Sequence, residues 1–275
     1  MKSMPSLPEI IILTGDRLRH KYFAARILDT FDSAKLLVEK HPIPAWGAHV
    51  QQATPLVREH FLSFQRTESD YFKDFVKVHA ELLASRTLME INTGEINRPD
   101  IIAYLQALQP KVFAVLSTSL LQAGFIEAFP RRLINYHAGL SPYYRGSATN
   151  VFPFLNDELQ YVGVTIHYID AGIDSGDIII QGRPVFEPGD DTHTIGCKTL
   201  MVGTELMVET LRSFLAKGPP KGHRQSAGEG RLYKKSDFND EVILELRAQL
   251  EKGVVKSYAA EQPQAIQMVS EISYA

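Results

Sequence analysis

Three short apolar runs constrain this chain most: Ile10-Ile11-Ile12-Leu13-Thr14, Lys111 to Leu116 with Val112-Phe113-Ala114-Val115 at its centre, and Leu133 to His137. The first two have the continuous apolar character of strands buried on both faces. Segments with helical spacing separate them. Arg17 to Leu28 follows Gly15, with Asp16 placed to cap it. Pro99 suits the first turn of a helix running to about Leu108, and Leu120 to Phe129 gives a short helix before the third run. Ala34 to Val38 supplies one more strand. Strands alternating with helices predict an α/β fold, a mostly parallel sheet with helices on both faces. Functional groups in such sheets collect at the carboxyl ends of strands, where His137 stands.

The second half changes character. Ala148 to Leu155 is predicted helical. Val162 to Ile169 and Asp177 to Phe186 are strand-like, and the connection Asp170 to Gly176 is too short for a crossover, so they form an antiparallel hairpin. Thr192 to Leu215 is a long amphipathic helix that ends near Gly218 and is stopped by Pro219-Pro220. A Gly-rich loop at Gly228 to Tyr233 and a helix from Asp240 to Lys252 follow. From Ala259 the chain has no clear period and is either a flexible tail or a docking arm. We divide the chain into a domain over residues 1–218, with an inserted aromatic-rich segment at about 41–90, and a C-terminal extension over 219–275. Within the insertion, Glu59 to Ser85 is predicted helical, and Phe61, Phe64, Phe72, Phe75 and Val76 form a stripe that faces the core or a partner rather than a cofactor.

Composition removes several classes. Hydrophobic residues at 44% and charged residues at 22% suit a globular protein with a sizeable core. A net charge of −3 argues against nucleic acid as a partner. The single cysteine, Cys197, rules out an internal disulfide and thiol-rich metal sites, and is best placed as a small buried residue on the long helix. The nine histidines show no metal-ligand spacing, so no metal is expected. No apolar run reaches the roughly 18 residues of a membrane span, and the run after Met1-Lys2-Ser3-Met4-Pro5-Ser6 is too short for a signal-peptide core, so the expectation is a cytoplasmic protein away from membranes.

Asn135 and His137 are two apart on a strand and therefore share a face. Asp174 lies in a Gly-bounded turn downstream. Singly, each has an ordinary structural explanation: a hydrogen-bonded histidine, an amide satisfying a loop, a turn aspartate. Together they supply an oxyanion donor, a proton shuttle and a carboxylate to orient that shuttle, the set an acyl transfer needs.

The residues Asn135-Tyr136-His137, Leu140-Ser141-Pro142-Tyr143-Tyr144-Arg145-Gly146, Val162-Gly163-Val164-Thr165-Ile166-His167 and Asp170-Ala171-Gly172-Ile173-Asp174-Ser175-Gly176 resemble the folate-dependent formyltransferases. That family includes glycinamide ribonucleotide, methionyl-tRNA and amino-sugar formyltransferases. The likeness is clear over about Ile96 to Asp191, topological over the first strand and helix, and faint after Pro219. It implies a Rossmann-like domain that moves a formyl group from 10-formyltetrahydrofolate, a co-substrate, to a primary amine. Asn135 and His137 would stabilise the oxyanion, and Asp174 would hold His137 or a water and help move the amine proton toward the folate N10. Ser119, Leu120 and Leu121 with Asp170, Ala171, Gly172 and Ile173 would form the folate slot. Plain core packing competes with that role for Leu120 and Leu121.

Thr14, Gly15, Asp16 and Arg17 follow the first strand, where substrate binds in this family, but lack the Gly-Ser-rich phosphate cradle of the purine-pathway members. Arg17, Arg19 or His20 would meet an anionic group, with a solvated helix face competing for at least two of them. Tyr144 and Arg145 are candidate substrate contacts, and Arg145 is equally a candidate structural anchor. Trp46 and the segment from His41 to Ser85 shape either the acceptor site or an oligomer interface such as a homodimer's. A small amine, an amino sugar often linked to a nucleotide, fits better than tRNA, because methionyl-tRNA enzymes add a basic C-terminal domain and this chain is net acidic. The alternatives are hydrolysis of formyltetrahydrofolate, and a non-catalytic folate- or nucleotide-binding module that would have no need of Asn135, His137 and Asp174 together.

Overall fold

The computed structural model describes residues 7–40, 54–225, 230–261 and 265–274. Strands are numbered in chain order: β1 Ile10–Gly15, β2 Ala34–Lys40, β3 Thr87–Asn92, β4 Val112–Leu116, β5 Leu133–His137, β6 Tyr144–Gly146, β7 Val164–Tyr168, β8 Ile178–Gly182 and β9 Arg231–Tyr233. Seven form one sheet in the order β3-β2-β1-β4-β5-β7-β8. The first five run parallel, while β7 is antiparallel to both β5 and β8. The helices are α1 Leu18–Thr30, α2 Pro55–Val78, α3 Ala80–Arg86, α4 Pro99–Ala107, α5 Ala123–Ala128, α6 Phe152–Leu155, α7 Thr192–Lys217, α8 Asp240–Glu251 and α9 Val254–Ala260.

The pleat sends alternate side chains of each strand to opposite faces. Ile10, Ile12, Ala114, Ile134, Tyr136 and Ile166 join Phe23 and Ile27 of α1, Phe72 of α2 and Met207 and Leu211 of α7 in one core. Ile11, Leu13, Phe113, Val115 and Leu133 face the other way, against Ile101 and Leu105 of α4 and Phe125 of α5. Each fully buried side chain of this size contributes roughly 1.5–3 kcal/mol through removal from water. The second face changes nature at β5 and β7, where its positions are Asn135, His137, Thr165 and His167. Loops rather than a helix cover that polar half, and the candidate functional site lies there.

Several elements depart from the sequence expectation. Arg17, not Asp16, is the N-cap of α1, and the His20 imidazole accepts the Arg17 N–H at 3.3 Å. The helix expected from Glu59 to Ser85 divides at His79 into α2 and α3. Strand β3 was not anticipated, because Thr87 to Asn92 is a half-exposed edge with no continuous apolar run. Asn97 delays α5: its side chain donates to the Leu120 carbonyl at 2.9 Å and accepts from Gln122 N at 2.8 Å, and residues 119–122 stay outside the helix. The segment expected helical from Ala148 is so only over Phe152–Leu155.

The last described residues form a docking arm. Gln181 of β8 donates its N–H to the Val269 carbonyl at 2.7 Å and takes the Val269 N–H on its side chain at 3.1 Å. Lys221 N bonds the Ser273 carbonyl, and Ile272 packs on the main core. The irregular stretch after His41, with Trp46, lies outside the described residues apart from Thr54, which caps α2 by accepting from Val57 N at 3.3 Å.

The aromatic stripe of α2 turns inward on this chain. Phe72 and Phe75 meet Tyr22 at centroid distances of 4.6 and 5.1 Å, and Phe64 stacks on His193 at 5.4 Å. His60 sits 4.6 Å from His193 and 5.4 Å from Phe238, so α2, the start of α7 and the C-terminal extension share one aromatic junction. Burial lowers the His60 imidazole from 6.5 to about 4, and His193 beside it adds to the effect. The unfolded chain therefore binds a proton that the folded chain refuses between those values, and stability falls as pH drops through that window. His60→Phe should flatten the decline of Tm between pH 6.5 and 4; an unchanged slope by calorimetry would remove His60 from the account.

Candidate functional site

Asn135 and His137 share the polar face of β5, and the antiparallel register sets His167 opposite Asn135 and Thr165 opposite His137. The loop after β7 folds back over this face and delivers Asp174, whose backbone is left-handed at φ 48°. Aspartate tolerates that conformation better than most residues, but it costs free energy that the surrounding contacts must offset. Those contacts are many. Asp174 Oδ2 accepts the Gly146 N–H at 3.0 Å and lies 3.3 Å from His137 Nδ1. Its Oδ1 is 3.4 Å from Asn135 Nδ2 and 3.6 Å from His167 Nε2. The Gln225 amide donates to the Asp174 carbonyl at 3.0 Å and to the Gly176 carbonyl at 2.7 Å, pinning the loop.

The protonation pattern follows from the partners. His167 Nδ1 lies 2.8 Å from the Tyr168 carbonyl and donates to it. Its Nε2 then carries a lone pair and accepts from Asn135 Nδ2 at 3.1 Å. His137 faces an acceptor on each nitrogen, Asp174 on Nδ1 and the Tyr144 carbonyl, 3.0 Å away, on Nε2. Burial lowers its pKa, while the Asp174 charge and the Tyr144 carbonyl pull it back in part. Burial alone would raise the Asp174 carboxyl, but the His137 imidazole and the Gly146 N–H hold it well below the usual carboxylate range. His137 and His167 are buried; Asn135 and Asp174 keep partial exposure. The groups within reach of a ligand are thus one amide donor and one carboxylate, backed by two imidazoles.

Ribbon β6–β9 builds the wall behind them. Tyr144 is buried, and its hydroxyl bonds Glu158, Asn156 at 2.8 Å and Arg231 at 2.8 Å, so what it offers the site is its carbonyl. Gly146 combines a φ of 91° with a position where a Cβ would run into the Tyr233 carbonyl. Only glycine can present its N–H to Asp174 from there.

The other expected residues group differently. Ser119 stands at the end of β4, its N–H 2.5 Å from Glu39 Oε2 and its hydroxyl accepting from Gly94 N at 3.0 Å. Glu39, fully buried at the end of β2, also accepts the Gly94 N–H at 2.6 Å and so fixes this loop. Leu120 is 76% and Ile173 48% exposed, while Leu121 packs on the core. Asp170 closes a turn by accepting Gly172 N at 3.0 Å and the Ser175 hydroxyl at 2.8 Å, which carries Ala171 between them. Thr14 is spent on the Leu116 carbonyl at 2.8 Å. A Cβ on Gly15 would collide with the His20 imidazole. Asp16 and Arg17 are half-buried, and burial, together with the neighbouring Arg19 charge, lowers the Arg17 guanidinium to about 10.

Sequence reasoning missed His167, Glu39, Gln181 and Gln225 as parts of this structure. His167 had a signal, since Thr165 and His167 alternate on a strand beside Asn135. The other three act through long-range contacts that leave no local pattern.

The sequence pattern of the formyl transferase family matches residues 67–211, more than half of the chain. The chain belongs to the formyl transferase family. Curated relatives include methionyl-tRNA formyltransferases of Caldicellulosiruptor saccharolyticus, 36% identical over 40% of this chain and 35% of that one, and of Synechococcus elongatus, 30% identical over 54% and 47%. The chain thus spans less than half the length of these relatives. Similar solved structures are a 4-N formyltransferase from Francisella tularensis, with a TM-score of 0.56, 17% identity and coverage of 97% and 99%. Another is an N-formyltransferase from Helicobacter canadensis in complex with folinic acid and dTDP-3-aminofucose, with a TM-score of 0.54, 18% identity and coverage of 87% and 79%. At these identities they establish the fold. Among the described residues no cluster of three or more potential metal ligands occurs, and no helix is long and apolar enough to cross a membrane.

Because Asp174 raises the His137 pKa against burial, Asp174→Asn should make His137 titrate at lower pH than in the native chain. NMR titration of the imidazole protons measures this, and an unchanged or higher midpoint would contradict the assigned contact.

Proposed function

We propose that this chain transfers the formyl group of 10-formyltetrahydrofolate to a primary amine of a small molecule, an amino sugar or another biosynthetic amine. The observation that carries this is the pairing of a reachable Asn135 amide with a reachable Asp174 carboxylate, 3.4 Å apart, over two buried imidazoles. Formyl transfer needs both: a donor where the carbonyl oxygen gains charge, and a base where the attacking nitrogen loses a proton.

Asn135 Nδ2 donates to the developing oxyanion, a contribution of roughly 3–4 kcal/mol to the barrier for one such donor. Asp174 accepts the amine proton, directly or through a water, and passes it toward the folate N10. His137 shares the Asp174 carboxylate and moves a proton across the Nδ1 contact, while its Nε2 stays on the Tyr144 carbonyl. His167 holds the Asn135 amide through its Nε2 lone pair. The exposed apolar side chains of Leu120 and Ile173 suit a flat, partly apolar ring. The Helicobacter canadensis neighbour, solved with dTDP-3-aminofucose, supports an amino-sugar acceptor, and the net negative charge of the chain weighs against tRNA.

Calorimetric titration with 5-formyltetrahydrofolate, a poorly reactive donor analogue, should give saturable one-site binding. Asn135→Ala, His137→Ala and Asp174→Ala should each lower turnover by about 100-fold or more and keep that binding. Near-normal turnover in His137→Ala would overturn its role, and formate release without any amine would replace the transferase by a hydrolase.

A further inference from the structure

Arg145 lies between Tyr144, whose carbonyl faces His137, and Gly146, whose N–H holds Asp174. It belongs to the same ribbon that walls the site. Tyr144 turns its side chain into the aromatic stack with Tyr161 and Tyr233, and alternation along the strand sends Arg145 the other way. Its positive charge opposes protonation of His137.

The arginine is half-buried, and its Nε is enclosed without a hydrogen-bond acceptor. Among the described residues no carboxylate lies within ion-pair distance of it, and its side chain makes no hydrogen bond. Other half-buried arginines of the fold are matched: Arg19 by Glu68 at 2.5 Å, Arg26 by Glu205 at 2.7 Å, and Arg183 by the Gln160 carbonyl at 3.3 Å. A guanidinium beside a reaction centre and left without an acceptor among the described residues is a poor structural device and a good oxyanion receptor. Its fork geometry matches a carboxylate or a phosphate.

We propose that Arg145 receives an oxyanion of the acceptor substrate, a phosphate or a carboxylate, and thereby fixes the acceptor's amine beside Asp174. This rests on the formyl-transfer reading above and names the acceptor class as an anionic amine. The acceptor then bears its negative group within an arginine's reach of the amine, as a sugar nucleotide or an amino acid derivative does.

The test compares the native chain with Arg145→Met and Arg145→Lys. In calorimetry, inorganic pyrophosphate or succinate should bind the native chain at one site, and the tighter of the two identifies the anion as phosphate or carboxylate. Arg145→Met should weaken that binding by at least about tenfold, with Arg145→Lys between, while 5-formyltetrahydrofolate binding stays unchanged. Because the guanidinium makes no hydrogen bond or ion pair among the described residues, Arg145→Met should also keep its Tm within about 2 °C of the native value or raise it. Equal anion binding in native and Arg145→Met chains, no binding of either probe to the native chain, or a Tm lowered beyond that margin would each overturn the proposal. Loss of 5-formyltetrahydrofolate binding by the native chain, with the anion and Tm results intact, would instead overturn the donor and leave Arg145 in place.

Discussion

The site depends on one partly buried carboxylate. Asp174 enters a left-handed backbone conformation on a loop that only just reaches back over β5. There it meets a backbone N–H, an amide and two imidazoles at 3.0 to 3.6 Å. Without it, His137 and His167 would face each other across a buried polar face with nothing to balance a proton on either. With it, the face carries one negative charge that can accept a proton from outside and share one with His137. The contacts fix the loop, and the loop puts the carboxylate beside the Asn135 amide.

That arrangement follows from how the sheet ends. The parallel strands pack apolar side chains against helices on both faces, almost without interruption at β1 and β4. The reversal at β7 leaves one face of β5 and β7 without a helix. Its alternating positions are polar, and two loops and the β6–β9 ribbon cover them. Gln181, whose amide donates to the Ser141 carbonyl at 2.7 Å and to Thr165 at 3.1 Å, links this cover to the terminal arm along β8. The cover of the candidate site and the arm are therefore neighbours through one side chain.

Much of this was legible in the sequence, and the reason is local. Strand β5 falls over Leu133–His137, as its apolar run predicts, and the period of two puts Asn135 and His137 together. The short connection between β7 and β8 required a hairpin, and a hairpin loop is what carries Asp174. What stayed hidden depends on distance along the chain. Glu39 has the look of an ordinary strand-end acid, yet it is spent on the N–H groups of Gly94 and Ser119. Gln225 gave no sign that it would pin the Asp174 loop from 51 residues away. Strand β3 escaped because an edge strand needs no apolar run. Tyr144 resembled a contact residue, and its burial in a stack of tyrosines appears only once β9 is paired with β6.

The central claim is that Asn135 and Asp174 flank the transferring carbonyl. A crystal structure of the chain soaked with 5-formyltetrahydrofolate tests it most directly. The account predicts the pterin against Leu120 and the 170–173 loop, with the formyl group turned toward Asn135 Nδ2 at about 3 Å, a hydrogen-bond distance. A folate bound elsewhere, or bound there with its formyl group out of hydrogen-bond reach of Asn135, would contradict it.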